Sequence, residues 1–394
     1  MFDLKAIQTA IRDFGFDGWL LYDFRGSNIL ARRILQIPDS VHSSRRFVFW
    51  IPASGEPHRI VHRIEDSSLD HLPGGKTVYL RWQELRAAIE TAVRGTQRIA
   101  MEYSPLGNNP AVSRVDAGTF ELVRSFGPDV GSSGDLVQLF EASWDDEQER
   151  MHFAAAEITN AAYGVAWAFI AKQLRTAGSV TEKEVQRKIM DHFYAHKATT
   201  YSPPIVARNA HAGMPHYETG TGADTVIREG DLVLIDLWAK LHQPRAVYSD
   251  LTRMGFAGKE VPKHYADRFA VITAARDAAI ALVKEAYAAG RPIQGWEVDD
   301  ACRAVVEKAG YGKNFAHRTG HGIGQEVHGN SANIDNLETH EERLLLPRTC
   351  FSIEPGIYFD DCGFRTEVDV YIDAKKQVHV TGGSLQTEIV PILA

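Results

Sequence analysis

Five side chains with metal-binding chemistry lie in the second half of this sequence. Four of them are acids in or beside short apolar runs, and the fifth is a histidine between glycines. Carboxylate oxygens and an imidazole nitrogen bind hard to borderline divalent metals, and such a site needs no cysteine. We therefore predict a metal-dependent hydrolase whose centre is formed by Asp236, Asp250, His321, Glu354 and Glu367.

The first two acids belong to one predicted β-hairpin. Asp236 closes the apolar run LVLID, and Asp250 lies in the segment VYSDLTR. A carboxylate at the end of a buried strand is costly unless a cation neutralises it. A hairpin made of these strands would bring both carboxylates to one side, where they could share a cation.

The other two acids have the same character on a second predicted hairpin. Glu354 ends an apolar strand in FSIEPG and precedes a Pro-Gly turn, and Glu367 follows in FRTEV. Four buried acids cannot all ionise close together without a compensating charge. Two divalent ions about 3.5–4 Å apart, bridged by carboxylates, would supply that charge, with His321 as the single nitrogen ligand.

Each of these features is weak evidence by itself. An aspartate after a strand is usually a turn or cap residue. A histidine in a segment such as GHGIG usually belongs to a flexible turn. The five residues together favour a metal site over coincidence.

The elements that must position these residues fall into two predicted domains. Over residues 1–143, short strands such as GWLLYDF and RRFVFWIP alternate with helices, which indicates an α/β domain. Residues 144–394 combine long helices with antiparallel strands, which is an α+β pattern. The boundary is placed near the polar segment SWDDEQE. One long helix predicted in the second domain ends near residue 174. Further helices are predicted over residues 181–196, 261–289 and 297–309.

The order of the motifs closely resembles one known enzyme family. The segments NAHAGMPHY, LIDLW, YSDLTR, HRTGHGIGQEVH, IEPGIY and FRTEV resemble the pita-bread (creatinase/methionine aminopeptidase-like) metallopeptidases, within them the Xaa-Pro branch of prolidase and aminopeptidase P. The resemblance covers roughly residues 145–394. The first domain more weakly resembles the creatinase-type N-terminal domain of these enzymes. The implied fold is a pita-bread catalytic domain, with helices around a curved antiparallel sheet, preceded by an α/β domain.

The resemblance implies a dinuclear site and a role for each ligand. Asp250 and Glu367 would bridge both ions, Asp236 would chelate one, and His321 and Glu354 would complete the set. The ions would be Mn²⁺ in the first place, with Co²⁺ or Zn²⁺ as alternatives. A hydroxide held between them would attack an Xaa-Pro bond of a dipeptide or short peptide, with Glu354 accepting a proton.

Other motif residues are implied to act on the substrate. The family's substrate histidines fall on His216 and His328, either of which would stabilise the oxyanion by hydrogen bonding. A further pocket histidine of the Xaa-Pro branch falls on His317, and the arginine behind the metal ligands falls on Arg365.

A prolyl substrate also needs apolar walls. The nitrogen of an Xaa-Pro amide carries no hydrogen, so the site needs no buried acceptor for it. Walls made of histidine and aromatic side chains could therefore pack against the proline ring. The candidate walls are Tyr217, Phe315 and Tyr358, with ordinary core packing as the alternative for each.

The first hairpin departs from the family pattern. Trp238 stands two residues after Asp236, where the family usually has glycine. The two aspartates are 14 positions apart, a longer interval than the family commonly has, with the extra residues around KLHQPR in the turn. Lys240 and Arg245 would lie near the mouth of the site and alter substrate choice.

Composition excludes several other classes of protein. The chain has 394 residues, a net charge of −8 and no large basic cluster, which argues against nucleic-acid binding. It has no apolar run long enough for a membrane span and no signal-peptide pattern at its start. Three cysteines without a disulfide or zinc pattern fit inert core thiols in a reducing cytoplasm. The family's usual state predicts a homodimer.

Two alternatives stay open at this stage. One is a metal-dependent hydrolase of a non-peptide C–N bond on the same fold, related to creatinase. The other is an inactive homologue that only binds. Creatinase-type enzymes and inactive homologues usually lose ligands, whereas this sequence keeps all five, which does not exclude a metal-dependent hydrolase of a non-peptide bond. The choice between a dipeptidase and an aminopeptidase for longer peptides also stays open.

Overall fold

The structure is a computed structural model that describes residues 2–38 and 40–394. It divides into two compact units, residues 1–142 and residues 143–394. Within the described residues, no helix is both long and apolar enough to cross a lipid bilayer.

The first unit is built on one mixed sheet. Its strands are β1 (Gly18–Phe24), β2 (Arg46–Pro52), β3 (His58–His62), β4 (Gly75–Tyr79), β5 (Arg98–Met101) and β6 (Asp129–Ser132). They lie in the order β4-β3-β2-β1-β5-β6. Aromatic and branched side chains dominate β1 and β2, and such residues suit a buried pleated surface.

Five α-helices accompany this sheet in the described part of the first unit. They are α1 (Leu4–Asp13), α2 (Ile29–Ile34), α3 (Trp82–Val93), α4 (Ala117–Arg124) and α5 (Gly134–Val137). The buried face of α1 presents Ile7, Ala10 and Ile11 to the core, as the helical spacing of its apolar residues predicts.

The second unit contains four long or medium helices. They are α6 (Asp146–Ala177), α7 (Glu182–Ala195), α8 (Lys263–Ala288) and α9 (Gly295–Lys308). The helix predicted to end near residue 174 continues to Ala177, because Gly178 adopts a left-handed φ of 76° and terminates it. A capping box between Thr181 and Glu184 begins α7, as the sequence predicts.

Antiparallel strands form the centre of this unit. They are β7 (Ser179–Thr181), β8 (Ala198–Thr199), β9 (Ile205–Arg208), β10 (Val226–Arg228), β11 (Leu232–Leu241), β12 (Ser249–Phe256), β13 (Gly322–Ile323), β14 (Cys350–Ile353), β15 (Gly356–Tyr358), β16 (Gly363–Arg365), β17 (Val368–Ile372), β18 (Val378–Thr381) and β19 (Val390–Pro391). The hairpin of β11 and β12 continues through β9 and β19. A second sheet has the order β13-β14-β17-β18, and β15 pairs with β16.

Strand β11 separates two environments by simple alternation. Its odd-numbered side chains, from Val233 to Ala239, join the core formed with α6 and α7. On the even-numbered face, Leu232 and Leu234 join a different core, and Asp236 follows them on the same face. This alternation places the Asp236 carboxylate at the end of an apolar row.

All three cysteines are buried and unpaired, as predicted.

Candidate metal centre

The predicted ligands of the second unit meet at a cavity of about 240 Å³. Both predicted hairpins contribute to its walls, together with the glycine-rich segment between α9 and β14. The predicted site residues that line the cavity are His216, Asp236, Asp250, His317, His321, His328, Glu354, Arg365 and Glu367.

The first hairpin places its two acids on one face. In the register of β11 and β12, Asp236 is opposite Thr252 and Trp238 is opposite Asp250. Residues directly opposite each other in an antiparallel pair project from the same face of the sheet. The turn absorbs the additional residues between the aspartates, so the longer interval does not separate them.

Three of the predicted ligands lie close together in the structure. One donor atom each from Asp250, His321 and Glu367 lies within 4.8 Å of the other two, and all three residues are buried. Glu354 joins them, since its Oε1 is 3.4 Å from His321 Nε2. Asp250 Oδ2 is 3.7 Å from the same nitrogen.

The tautomer of His321 suits a metal ligand. Its Nδ1 donates a hydrogen bond to the Gly322 carbonyl at 3.2 Å, which leaves the Nε2 lone pair facing the carboxylates. Burial lowers the pKa of His321 well below its usual range, and the neighbouring His328 lowers it further. A neutral imidazole with its other nitrogen bonded to a carbonyl is the usual arrangement for metal binding.

The aspartates have oxygens that no protein group satisfies. Among the described residues, Asp236 Oδ1 and Asp250 Oδ1 are buried without a hydrogen-bond partner. Burial raises the pKa of Asp250 well above its usual range, and the nearby Asp236 and Asp369 carboxylates raise it further. Burial likewise raises the pKa of Asp236.

Each of the two glutamates accepts a hydrogen bond from a hydroxyl group. Thr252 Oγ1 donates to Glu367 Oε2 at 2.7 Å, and Ser352 Oγ donates to Glu354 Oε1 at 3.3 Å. Burial raises the pKa of Glu354 to about 7. Burial, and after it the Asp250 carboxylate, raises the pKa of Glu367 well above its usual range.

These observations fit divalent metal ions. The carboxylate oxygens without partners and the imidazole lone pair point into one place, where a cation could bind them. The same cation would stabilise the ionised form of carboxyl groups whose pKa values burial has raised. The donor set of oxygens with one nitrogen suits Mn²⁺ and similar ions.

Arg365 connects the metal residues to the wall behind them. Its Nη2 pairs with Asp236 Oδ2, and its Nε donates to Thr252 Oγ1 at 3.3 Å. Its Nη1 donates to the Tyr358 hydroxyl at 3.0 Å. The Arg365 guanidinium is therefore a positively charged protein group that pairs with the Asp236 carboxylate.

Tyr358 lies behind the cavity wall and fixes His317. Because His317 Nδ1 donates to the Arg318 carbonyl at 2.7 Å, its Nε2 accepts from the Tyr358 hydroxyl at 2.7 Å. Burial lowers the pKa of His317 to about 3, so its ring is neutral. Tyr358 thus joins His317 and Arg365 into one hydrogen-bonded chain.

The two other histidines face the open part of the cavity. His216 and His328 both line it and are both exposed on its surface. The ring of His328 lies 4.2 Å from the ring of His321, measured between centroids. The surrounding cavity walls partly desolvate the His328 ring, and this desolvation together with the nearby Arg318 lowers its pKa, which favours its neutral form.

The other two predicted wall residues take different places. The Tyr217 hydroxyl donates to Glu182 at 2.6 Å, and its ring stacks on His211. Phe315 is buried in the core and touches His317 edge to face, with ring centroids 5.3 Å apart. Phe315 therefore supports a wall residue rather than lining the cavity.

Sequence reasoning missed several residues of the cavity. Arg318 and Glu338 line it, and so does Tyr201. Asp369 lies behind Asp250 and accepts a hydrogen bond from its backbone N–H at 3.0 Å. The one available signal was a charged residue, Arg318, between two candidate histidines in a glycine-rich turn.

Comparison with known sequences identifies related proteins. The model of metallopeptidase family M24 matches residues 150–374. The probable dipeptidase PepE of Mycobacterium tuberculosis is 31% identical over 213 residues, which are 54% of this chain and 52% of that protein. The Xaa-Pro dipeptidase of Lactobacillus delbrueckii subsp. lactis is 33% identical over 198 residues, 48% of this chain and 49% of that protein. These alignments span about half the length of each relative.

Comparison with solved structures concerns the fold. Dipeptidase PepE from Mycobacterium ulcerans has a TM-score of 0.66 at 23% identity, covering 99% of this chain and 96% of that chain. The prolidase from Pyrococcus horikoshii has a TM-score of 0.58 at 21% identity, covering 98% and 99%. The predicted α+β pita-bread fold with an α/β domain before it is confirmed.

Proposed function

Because the chain belongs to metallopeptidase family M24, we propose that it is a dinuclear metal-dependent peptidase that cleaves the Xaa-Pro bond of dipeptides or short peptides. The observation that carries this proposal is the convergence of Asp250, His321 and Glu367 within 4.8 Å, beside carboxylate oxygens that have no hydrogen-bond partner among the described residues. A relative named Xaa-Pro dipeptidase supports the substrate class.

Five residues of this chain would hold the metal ions: Asp236, Asp250, His321, Glu354 and Glu367. Two bound divalent ions, Mn²⁺ in the first place, would supply positive charge, Lewis acidity at a carbonyl and a water acidified towards neutral pH. The Gly322 carbonyl keeps His321 Nε2 free to bind, and Arg365 orients the Asp236 carboxylate.

The remaining residues would act on the substrate and its protons. Glu354 would accept the proton of the attacking water at a carboxylate oxygen, because this side chain reaches the cavity beside His321. His328 and His216 would donate hydrogen bonds to the oxyanion of the tetrahedral intermediate. His317, kept neutral by burial and oriented by the Arg318 carbonyl and the Tyr358 hydroxyl, would face the substrate.

The cavity suits a substrate without an amide hydrogen at the scissile bond. Part of its wall is apolar or aromatic, from Ile205, Val327, Trp238 and Tyr201. A prolyl nitrogen has no N–H to satisfy, so such a wall can pack against the ring at no hydrogen-bonding cost.

The test is a rate comparison on purified protein with Mn²⁺ or Co²⁺. Cleavage of Ala-Pro and of a tripeptide that begins Ala-Pro is expected, with Ala-Ala as the control substrate. Turnover of neither Xaa-Pro substrate with any divalent metal would refute the peptidase proposal. Hydrolysis of a small non-peptide amide instead would support the alternative enzyme class. The homodimer and the cytoplasmic location stay predictions.

A further inference from the structure

Strand β11 carries more than one residue of the cavity in a single row. Asp236, Trp238 and Lys240 alternate along the strand and therefore project from one face. At about 3.3 Å per residue, the Cα atoms of Asp236 and Lys240 are roughly 13 Å apart. The row therefore leads from the candidate metal centre to the ammonium group of Lys240.

The middle of this row is aromatic. The ring of Trp238 stacks on the ring of Tyr201 with centroids 6.1 Å apart, and Tyr201 meets Tyr248 edge to face at 6.3 Å. Tyr201 is 71% exposed, although it is a large aromatic residue. Trp238 is 9% exposed, and its Nε1–H has no hydrogen-bond partner within the described part of the chain.

A second cavity of about 390 Å³ adjoins the metal cavity along this row. The two cavities share Tyr201, Val327 and His328 as walls. Lys240 and Tyr248 line only the second cavity. A molecule bound at the metal centre can therefore extend past His328 towards Lys240.

The ammonium group of Lys240 is held in place by a backbone carbonyl and an aromatic ring, and the Glu326 carboxylate, which lines the same cavity, acts on it electrostatically. Its Nζ donates to the Gln325 carbonyl at 2.6 Å and lies 4.7 Å from the centroid of the Tyr248 ring. No ion pair joins it to a carboxylate over residues 2–38 and 40–394. An ammonium group has three donors, so two remain for a ligand.

We propose that Trp238, Tyr201, Tyr248 and Lys240 form a carboxylate-binding subsite that extends the active-site cleft. The apolar part of a peptide would lie against the rings of Trp238 and Tyr201, and a carboxylate would accept hydrogen bonds from Lys240 Nζ. This inference rests on the proposed function and specifies the substrate of that same site.

The length of the row favours peptides longer than two residues. The terminal carboxylate of a dipeptide lies only one residue beyond the scissile bond, which is about 3.5 Å of extended chain. The spacing of roughly 13 Å between the Cα atoms of Asp236 and Lys240 matches three to four extended residues, as in a tetrapeptide cleaved after its first residue. An acidic side chain on the substrate would be the other source of the carboxylate.

The experiment compares substrates that differ only in one carboxylate. With the Mn²⁺-loaded protein, kcat/KM is measured for Ala-Pro-Ala-Ala with a free C-terminus and with a C-terminal amide. A second pair, Glu-Pro-Ala-Ala-amide and Gln-Pro-Ala-Ala-amide, tests a side-chain source. One pair should show a preference of roughly tenfold for the carboxylate, mainly through KM, as a charged hydrogen bond predicts.

Variants assign that preference to the ammonium group. Lys240→Gln should reduce it to nearly one, and Lys240→Arg should retain most of it. The matched control is Arg245→Gln, because Arg245 lies in the same hairpin but pairs with Asp145 at 2.7 Å. This control should keep the full preference. Thermal melts check that each variant folds. The comparison of acid and amide substrates on the wild-type protein does not depend on any variant.

Two results would overturn the subsite. One is a wild-type protein without preference in either pair, and the other is a preference that Lys240→Gln leaves unchanged. Failure of the proposed function is distinguishable, because it would appear as no cleavage of any Xaa-Pro peptide. In that case, calorimetric binding of the acid and amide tetrapeptides to wild type and Lys240→Gln still decides whether Lys240 binds the carboxylate.

Discussion

Buried acids occur in both units of this molecule, but they differ in whether protein groups donate hydrogen bonds to their oxygens. In the first unit, Glu102 is fully buried and accepts hydrogen bonds from Trp19 Nε1 at 2.6 Å, Asn28 Nδ2 at 2.7 Å and Ser133 Oγ at 3.0 Å. In the second unit, Asp250 is equally buried, but its Oδ1 has no partner among the described residues.

This difference separates a structural acid from a functional one. Protein donors satisfy Glu102, so its carboxylate needs nothing from outside the chain. The acids around Asp250 repel one another and keep free oxygens, so the chain alone leaves them unstable. We infer that the second set is stabilised by bound cations, and the following predictions test that contrast.

The largest effect is expected from Glu367→Ala. Because Glu367 is proposed to bridge both ions, its loss should lower kcat/KM for Ala-Pro by roughly a thousandfold or more, with little change in fold. The measurement is steady-state hydrolysis with Mn²⁺, together with a circular dichroism spectrum. The exposed helical acid Glu157 provides the control, and Glu157→Gln should stay fully active. An active Glu367→Ala protein would remove this residue from the metal site.

Metal removal should have the next largest effect. Treatment with EDTA should abolish hydrolysis and lower the melting temperature, because the acids of the second unit lose their counter-charge. Mn²⁺ at a hundred times its Kd should restore about 2.7 kcal/mol of unfolding free energy. The restoring effect should be much smaller in Glu367→Ala. Equal melting curves with and without metal would contradict this account.

Substitution of the structural acid should reverse the pattern. Glu102→Ala leaves Trp19 Nε1 and Ser133 Oγ without this acceptor and leaves Asn28 Nδ2 with the Tyr22 carbonyl alone, so the unfolding free energy should fall by about 2–3 kcal/mol. The loss should be the same with and without Mn²⁺, which differential scanning calorimetry can measure. A loss that Mn²⁺ repairs would mean that Glu102 also depends on the metal.

The smallest effect concerns pH. Burial raises the pKa of Glu102 from its ordinary 4.5 to about 7, although its three donors oppose the rise. A raised carboxyl pKa stabilises the folded state fully below 4.5, and this contribution is lost as the pH rises towards 7. Glu102→Gln cannot titrate, so its melting temperature should depend less on pH over this window. Identical slopes for both proteins would contradict the assignment.

The parts of the site that follow local patterns were predictable from sequence. The apolar run LVLID, the segment VYSDLTR and the glycine turns around His321 indicated that Asp236, Asp250 and His321 are candidate ligands. The apolar strand before Glu354 indicated a fourth candidate ligand. In each case a short repeating pattern determines which face a side chain occupies.

The parts that depend on distant contacts were not predictable. The pair of Arg365 with Asp236 spans 129 positions, and no local pattern indicates it. The stacking of Tyr201 on Trp238 depends on a proline-containing loop whose path the sequence does not specify. Of the two cations expected near the mouth, Lys240 lines a cavity beside it, whereas Arg245 pairs with Asp145.

The most direct test of the central claim is calorimetric titration of Mn²⁺ into EDTA-treated protein. We predict two bound ions per chain for the wild type and the loss of at least one in Glu367→Ala, with Glu157→Gln unchanged. A wild-type protein that binds no Mn²⁺, Co²⁺ or Zn²⁺ would contradict the account, because its buried acids would then need another explanation.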